Sequence, residues 1–385
     1  MERMATPWGE PELGRFPEDP RDRLRAWDAA DEYLLRHLAD EGVDLSGAVV
    51  VVGDRWGALA TALARHAPVQ ISDSFLAQAA TRANLERNGA PGAVRLLTTR
   101  DAPPVRADVL LVRVPKSLAL LEDQLHRLAP AVHPGTVVVG AGMVKEIHTS
   151  TLRLFEEVLG PTRTSLAVRK ARLIFCAPDP ALRPPPDPWP LTYRLPEGIG
   201  AMSGRPVVNH AGVFCADRLD IGTRFLLENL PDASRFARIA DLGCGNGVVG
   251  TAAALAAPDA EVLFLDESFQ AVASAEATYR ANASDGASGK AEFRAGDAMA
   301  AVPPGSLDLV LNNPPFHSHQ ATTDAAALRM FAGARDALAP GGELWVVGNR
   351  HLGYHVRLRR LFGGCTVAAS HPKFVLLRAV KRARG

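Results

Sequence analysis

The chain has 385 residues, of which 47% are apolar and 22% charged, with a formal net charge of +1. That length suggests two domains with ordinary cores, and so small a net charge excludes a global basic field that would draw in nucleic acid. Four widely separated cysteines (Cys176, Cys215, Cys244, Cys365), no membrane-length apolar run and no signal-peptide pattern in MERMATPWGEPELGRF argue against metal, disulfide framework and membrane partner. A cytoplasmic protein is therefore expected, with reduced thiols and a monomeric state.

Residues 1–25 are polar and weakly periodic. A helix pattern starts near Ala26, with Trp27, Ala30, Tyr33, Leu34 and Leu38 at three- and four-residue steps and Gly42 as a stop. The β-branched run Ala48–Val52 ends in Gly53-Asp54-Arg55-Trp56-Gly57, and the helix pattern ALATALARH follows. A second strand, Val69–Ile71, ends in Ser72-Asp73-Ser74. Residues 178–190 read PDPALRPPPDPWP; so many prolines cannot continue a helix or a central strand, and a semi-rigid linker is expected. Structure resumes at Leu191–Leu195 and Pro206–Val208, and GVFCADRLDIGTRFLLENL then leads into a helix. The strand RIADLG next opens the turn Gly243-Cys244-Gly245-Asn246-Gly247, and the small-residue helix TAAALAA follows. A helix is expected around Tyr354–Phe362. The final pair of strands, near Cys365–Ala369 and Phe374–Val380, is joined by a short Ser-His-Pro-Lys turn and must be antiparallel.

The order repeats. VVGDRWGALATALA lines up with DLGCGNGVVGTAAALA, and the Asp73 and Asp266 segments match with their helices. VLLVRVPKS lines up with LVLNNPPFH, and LHRLAPAVHPGTVVVG with ARDALAPGGELWVVG. Two copies of one alternating β/α domain are expected, each a doubly wound, mostly parallel sheet with an antiparallel C-terminal strand. Their bounds would be 1–177 and 191–385. The first copy has Val51 for Asp241 and Arg55 for Gly245, and Val114-Pro115-Lys116-Ser117 where the second has Asn313-Pro314-Pro315-Phe316. An arginine at the middle glycine would obstruct a ligand's approach to the backbone, so the first copy should be degenerate.

In the second copy Asp241, Gly243, Gly245 and Gly247 form a strand–turn–helix ligand cradle. Asp266, about 20 residues beyond the turn, is placed for ribose hydroxyls, and Asp297 with Ala298, at the next strand's end, for an adenine edge. Asn313-Pro314-Pro315-Phe316 is the most specific signal. Prolines remove backbone donors and leave carbonyls that only accept; the Asn313 amide oxygen adds a second acceptor, and Phe316 a stacking plate. Such a pair suits an exocyclic NH₂, and His317 next to it suits a supporting role. Basic residues cluster at Arg169, Lys170 and Arg172; at Arg350, His351, His355, Arg357, Arg359 and Arg360; and at Lys381, Arg382 and Arg384. The first two clusters, through Arg169, Lys170, Arg172, Arg350, His351, Arg357 and Arg360, are candidate RNA phosphate contacts.

DLGCGNG resembles the first motif of class I (Rossmann-like) methyltransferases, and NPPF the motif of enzymes that methylate exocyclic amines. From AWDAADEYLL onward the chain resembles bacterial ribosomal RNA guanine-N2 methyltransferases of the RlmG and RsmC type, with further matches at Val114-Pro115-Lys116, Ile147–Leu152, Leu219–Gly222 and Asn349–Leu352. The first-copy matches favour the RlmG branch. The resemblance implies S-adenosylmethionine as cofactor and a guanine of 23S ribosomal RNA as substrate. It implies that Gly243, Gly245, Gly247, Asp266 and Asp297 line the cofactor pocket with Phe214 and Thr223 nearby, and that Asn313 to Phe316 hold the base. The residues alone leave other targets open: a 16S guanine, adenine N6 in DNA, or a protein glutamine. A nicotinamide oxidoreductase is disfavoured because the glycines alternate as GxGxG, and a non-catalytic RNA-binding protein because the second-copy site is intact.

Overall fold

Runs of valine and leucine that are apolar on both faces need helices on both sides of a sheet, and two such sheets form. The computed structural model describes residues 2–19, 22–283, 290–315 and 321–383. The chain divides into two units, Met1–Trp189 and Pro190–Gly385.

The first unit opens with a two-stranded ribbon, β1 (Glu2–Arg3) and β2 (Glu12–Leu13). Then follow α1 (Ala29–Asp40), β3 (Val49–Val52), α2 (Ala58–Ala62), β4 (Val69–Ser72), α3 (Phe75–Arg87), β5 (Arg95–Thr98) and β6 (Ala107–Arg113). The unit closes with α4 (Leu118–Leu128), β7 (Val132–Met143), α5 (Thr149–Val158), β8 (Thr162–Thr164) and β9 (Ala171–Cys176). The sheet order is β5-β4-β3-β6-β7-β9-β8, parallel except where β9 meets β7 and β8. The polar N-terminal stretch is better anchored than its composition predicts. Met4 and Leu13 are buried, and the side-chain amides of Asn84 on α3 and of Asn88 at its C-cap bond the backbone of Gly14 and Glu12.

The second unit has a ribbon of β10 (Leu191–Arg194) and β11 (Pro206–Asn209), then α6 (Ile221–Glu228), β12 (Arg238–Leu242), α7 (Val248–Ala256), β13 (Glu261–Asp266), α8 (Phe269–Asn282) and β14 (Ala291–Ala295). It continues with β15 (Leu307–Asn312), α9 (Ala321–Ala337), β16 (Leu338–Asn349), α10 (Tyr354–Phe362), β17 (Thr366–Ser370) and β18 (Phe374–Val380). Its order, β14-β13-β12-β15-β16-β18-β17, repeats that of the first unit strand for strand. The two last strands are antiparallel neighbours, as their short turn requires. Alternate residues of β12 and β15 enter opposite layers: Ile239, Leu309 and Leu311 pack with Phe264 and Val249, while Ala240, Leu242 and Val310 pack with Phe331 and Leu344. Each fully buried large side chain of this kind is worth roughly 1.5–3 kcal/mol.

Strand pairing decides between two sequence matches: VLLVRVPKS against LVLNNPPFH sets Arg113 opposite Asn313, whereas matching the prolines alone sets Val114 there. Val52 lies beside Val112 in the first unit as Leu242 lies beside Asn312 in the second. Arg113, not Val114, therefore answers to Asn313. A match made by proline alone slips by one residue; the register of a parallel pair does not allow that slip, because it would turn every side chain to the other face. The proline-rich segment is hydrogen-bonded to the first unit near both of its ends. Asp179 N–H donates to Leu159 O, and Trp189 Nε1 donates to Glu122 Oε2, both within the first unit.

Candidate active site in the second unit

The sheet of the second unit reverses direction between β12 and β15: the chain runs outward through β13 and β14, then returns to the other side of β12. Ligands of such sheets bind beyond the carboxyl ends at that reversal. The glycine turn leaves β12 there and Asn312-Asn313 leaves β15 there. The two exits are tied directly, Asn312 Nδ2 donating to Leu242 O at 2.7 Å.

Gly243, Gly245 and Gly247 have φ of 71°, 53° and 75°, a left-handed run that side chains resist. Their surroundings differ. A Cβ on Gly247 would lie 2.5 Å from Ala275 Cα, so this glycine lets α8 pack against the turn. A Cβ on Gly245 would meet nothing within 4 Å among the described residues, so this glycine faces open space where a ligand can lie against the backbone. Asp266 closes β13 and accepts from Gly245 N–H through Oδ2 and from Ser268 N–H through Oδ1, each at 3.0 Å. Burial pushes its carboxyl up from the usual range, against the pull of these N–H groups. Gly296 N–H donates to Asp266 O, which brings the Asp297 turn alongside. Asp297 lies 3.6 Å from Arg329 Nε, and Ala298 holds a left-handed φ of 47°.

Asp241 is the next-to-last residue of β12. It is 2% exposed and its Oδ2 accepts from Gly250 N–H at 2.7 Å. Burial first, then the nearby Asp266, pushes it up to about 7 against the Gly250 N–H. The last residues of an apolar strand are buried, and the helix N–H groups that begin just past it are the nearest donors.

Asn313 is where the motif and the geometry meet. Its Nδ2 donates to Thr223 Oγ1 at 2.9 Å, while its Oδ1 is buried without a partner among the described residues. Thr223 N–H in turn donates to Asp220 Oδ2 at 2.9 Å, and its hydroxyl lies 3.3 Å from the same oxygen. Asp220 is the N-cap of α6. Pro314 is buried and Pro315 exposed. Phe316 and His317 lie outside the described residues, as does Arg384. Phe214 is 57% exposed, on the stretch that leads to α6.

Two features had no sequence warning strong enough to single them out. Asn312 is fully buried in an apolar strand; that isolated amide was the available signal. Asn209, at the end of β11, accepts from Asn246 Nδ2 at 3.0 Å and so braces the glycine turn from a ribbon far away in sequence. The ribbon itself is held by α8, where Ser274, Thr278 and Asn282 bond the backbone of His210, Val208 and Pro206.

The corresponding place in the first unit is filled by protein. Arg55, opposite in sequence to Gly245, pairs with Asp28 at 3.3 Å and Glu146 at 2.9 Å. Arg113, opposite to Asn313, is fully buried; it pairs with Asp28 at 2.8 Å and Asp31 at 2.7 Å and donates to Ala141 O at 2.7 Å. Asp54 accepts from Ala58 and Ala60 N–H, doing from within the turn what Asp241 does from the strand end. Burial, with Asp31 nearby, pushes it up to about 6.

The basic clusters differ in how free they are. Arg169 is exposed but paired to Glu32 at 2.9 Å, and Arg172 is half-buried. Lys170 is exposed. In the second cluster Arg350 reaches Ser370 Oγ at 2.6 Å, Arg357 is half-buried, and His351, His355, Arg359 and Arg360 are exposed. Among the described residues, no group of three or more His, Cys, Asp or Glu is placed to hold a metal, and no helix is long and apolar enough to cross a membrane.

Comparison with known proteins covers nearly the whole chain. Residues 1–180 match the family model described as the RLMG N-terminal domain, and residues 204–378 match that of the methyltransferase small domain. A Streptomyces coelicolor protein named ribosomal RNA large subunit methyltransferase G is 76% identical over 379 residues, covering 98% of this chain and 100% of that protein. A protein of the same name from Pseudomonas paraeruginosa is 49% identical over 384 residues, covering 99% and 100%. Among solved structures, the T. thermophilus 16S rRNA N2 methyltransferase RsmC, in complex with AdoMet and guanosine, superposes with a TM-score of 0.75 at 22% identity. It covers 99% of this chain and 97% of that one.

Proposed function

The chain belongs to the ribosomal RNA large subunit methyltransferase G family, and on that premise we propose that its second unit methylates the exocyclic N2 amine of a guanine in 23S ribosomal RNA. The observation that carries the reading is the Asn313 amide: its nitrogen is used by Thr223, and its oxygen is buried with no partner among the described residues. An orphaned buried acceptor costs about 1–3 kcal/mol unless a ligand donor meets it, and an aryl NH₂ offers two hydrogens.

The residues present fit S-adenosylmethionine. Gly245 leaves the turn open for close approach, Asp266 is held in orientation by two N–H groups, and Asp297 stands at the adjacent strand end. Bound there, the cofactor supplies a methyl group already activated by its sulfonium. The chain's own task is then geometric. Asn313 Oδ1 and the Pro314 carbonyl accept the two amine hydrogens and hold the nitrogen lone pair toward the glycine turn. An arylamine is a poor nucleophile because its lone pair is delocalised into the ring; fixed placement of this kind can supply several kcal/mol without a strong base. Pairing in a duplex would hide the amine, so the guanine must be unpaired or flipped into the site.

The first unit is read as an RNA-docking platform rather than a second catalyst, and Arg350 and His351 ahead of α10, with Arg357 and Arg360 on it, as a phosphate-binding surface. With ribosomal RNA as its substrate, we read the protein as cytoplasmic and monomeric. The test uses 23S RNA from cells lacking the gene, with labelled cofactor and mass mapping of the product. Wild-type protein should add one methyl to a guanine N2. Asn313→Ala should lower turnover by about 100-fold or more while adenosylhomocysteine affinity stays within about threefold. Methyl transfer at the normal rate by that variant would remove Asn313 from the chemistry; label appearing in 16S RNA, DNA or protein instead would redirect the substrate.

A further inference from the structure

We infer that Thr223, oriented by Asp220, is the positioning residue that decides which end of the Asn313 amide faces the substrate; this rests on the reading of Asn313 as the amine's acceptor. The two ends of a side-chain amide are nearly equal in size, so packing alone cannot choose between them; hydrogen-bond polarity can. The polarity here starts at Asp220. A carboxylate only accepts, so the Thr223 hydroxyl, 3.3 Å from Asp220 Oδ2, places its proton on that side. The hydroxyl oxygen is then left as an acceptor toward Asn313, 2.9 Å away, and only the amide NH₂ can donate to it. The Asn313 oxygen is thereby turned outward. Reversed, the amide would present NH₂ to a substrate NH₂, donor against donor, and no productive contact could form.

The other half of the chain carries the same arrangement with different partners, which argues that the link is part of the architecture. In α1, Asp28 is the N-cap and Asp31 is the third helical residue. In α6, Asp220 is the N-cap and Thr223 the third helical residue. Asp31 pairs with Arg113 at 2.7 Å, and Arg113 stands at the strand position that corresponds to Asn313. Each helix thus sends its third residue to the exit of the strand across the sheet, and the donor or acceptor character of the pair is matched in each: carboxylate to guanidinium, hydroxyl oxygen to amide NH₂.

The experiment compares full-length wild type, Thr223→Val and Thr223→Ser. Valine keeps the shape and removes the hydroxyl; serine keeps the hydroxyl. Steady-state methyl transfer to 23S RNA from cells lacking the gene, adenosylhomocysteine affinity by calorimetry and thermal melting are measured on each. Thr223→Val should lose about 10-fold or more in kcat, with KM for RNA and affinity for adenosylhomocysteine within about twofold of wild type. Thr223→Ser should recover most of the rate. Thr223→Ala makes the same comparison should valine not be accommodated. Undiminished kcat in the valine and alanine variants overturns the proposal. So does a loss that resides wholly in cofactor affinity and disappears at saturation, since that assigns Thr223 to the cofactor instead. Wild-type protein that leaves guanine N2 unmethylated overturns the reading of the site itself, and the proposal with it.

Discussion

A carboxylate's value depends on which side of a strand end it faces, and Asp241 illustrates this. It belongs to the most recognisable motif in the chain, yet its oxygen is spent on Gly250 N–H. Burial raises its pKa from 3.8 to about 7, so the folded protein holds the proton more tightly than the unfolded chain does. The stability this supplies is complete below pH 3.8 and is lost as the pH rises to about 7. Asp241→Asn keeps an acceptor for Gly250 but cannot ionise. Relative to wild type it should therefore gain up to about 1.4 kcal/mol per pH unit across that window. Urea unfolding of both proteins from acid to neutral pH measures the difference; a gap that does not vary with pH would show that Asp241 is not buried uncharged.

At the scale of elements, the glycine turn separates two demands that the sequence string presents alike. Gly247 packs against α8, whereas Gly245 faces open space, where the proposed cofactor would lie. Gly247→Ala places a Cβ 2.5 Å from the backbone of α8 at a left-handed φ of 75°, and should cost about 2–5 kcal/mol of stability. Gly245→Ala has open space for its methyl and only the left-handed φ of 53° to resist it. It should cost about 1–2 kcal/mol of stability but weaken adenosylhomocysteine by about 10-fold or more, because the methyl occupies the ligand's approach. Melting and calorimetric titration of the two variants should rank them oppositely; if Gly245→Ala bound the ligand as wild type does, the open face would not be the cofactor's. The β10–β11 ribbon belongs to this scale as well. Its two strands were legible as short extended runs, but the polar face of α8 that holds them needed residues 64 to 76 positions apart to meet.

The whole molecule is one topology written twice, with the strand orders of the two sheets identical. The chemistry is not duplicated. Where the second unit opens a cradle at Gly245 and offers the Asn313 oxygen, the first places Arg55 and Arg113, held by Asp28, Asp31 and Glu146. Removing one partner of such a network would leave buried charge uncompensated at roughly 3–5 kcal/mol, so a ligand cannot displace it cheaply. Titration of the full chain with adenosylhomocysteine should therefore saturate at one equivalent; two equivalents would mean that the first unit also binds.

The sequence alone determined the alternating β/α architecture and its duplication, because strand and helix periodicities and glycine turns are local properties. The tertiary structure decided which partners the polar groups meet. Asp241 came to accept from Gly250 N–H, and Thr223 came to hold the Asn313 amide from 90 residues away. Those outcomes depend on strand register and on which donor lies nearest a buried acceptor, and neither is fixed until the sheet has closed around them.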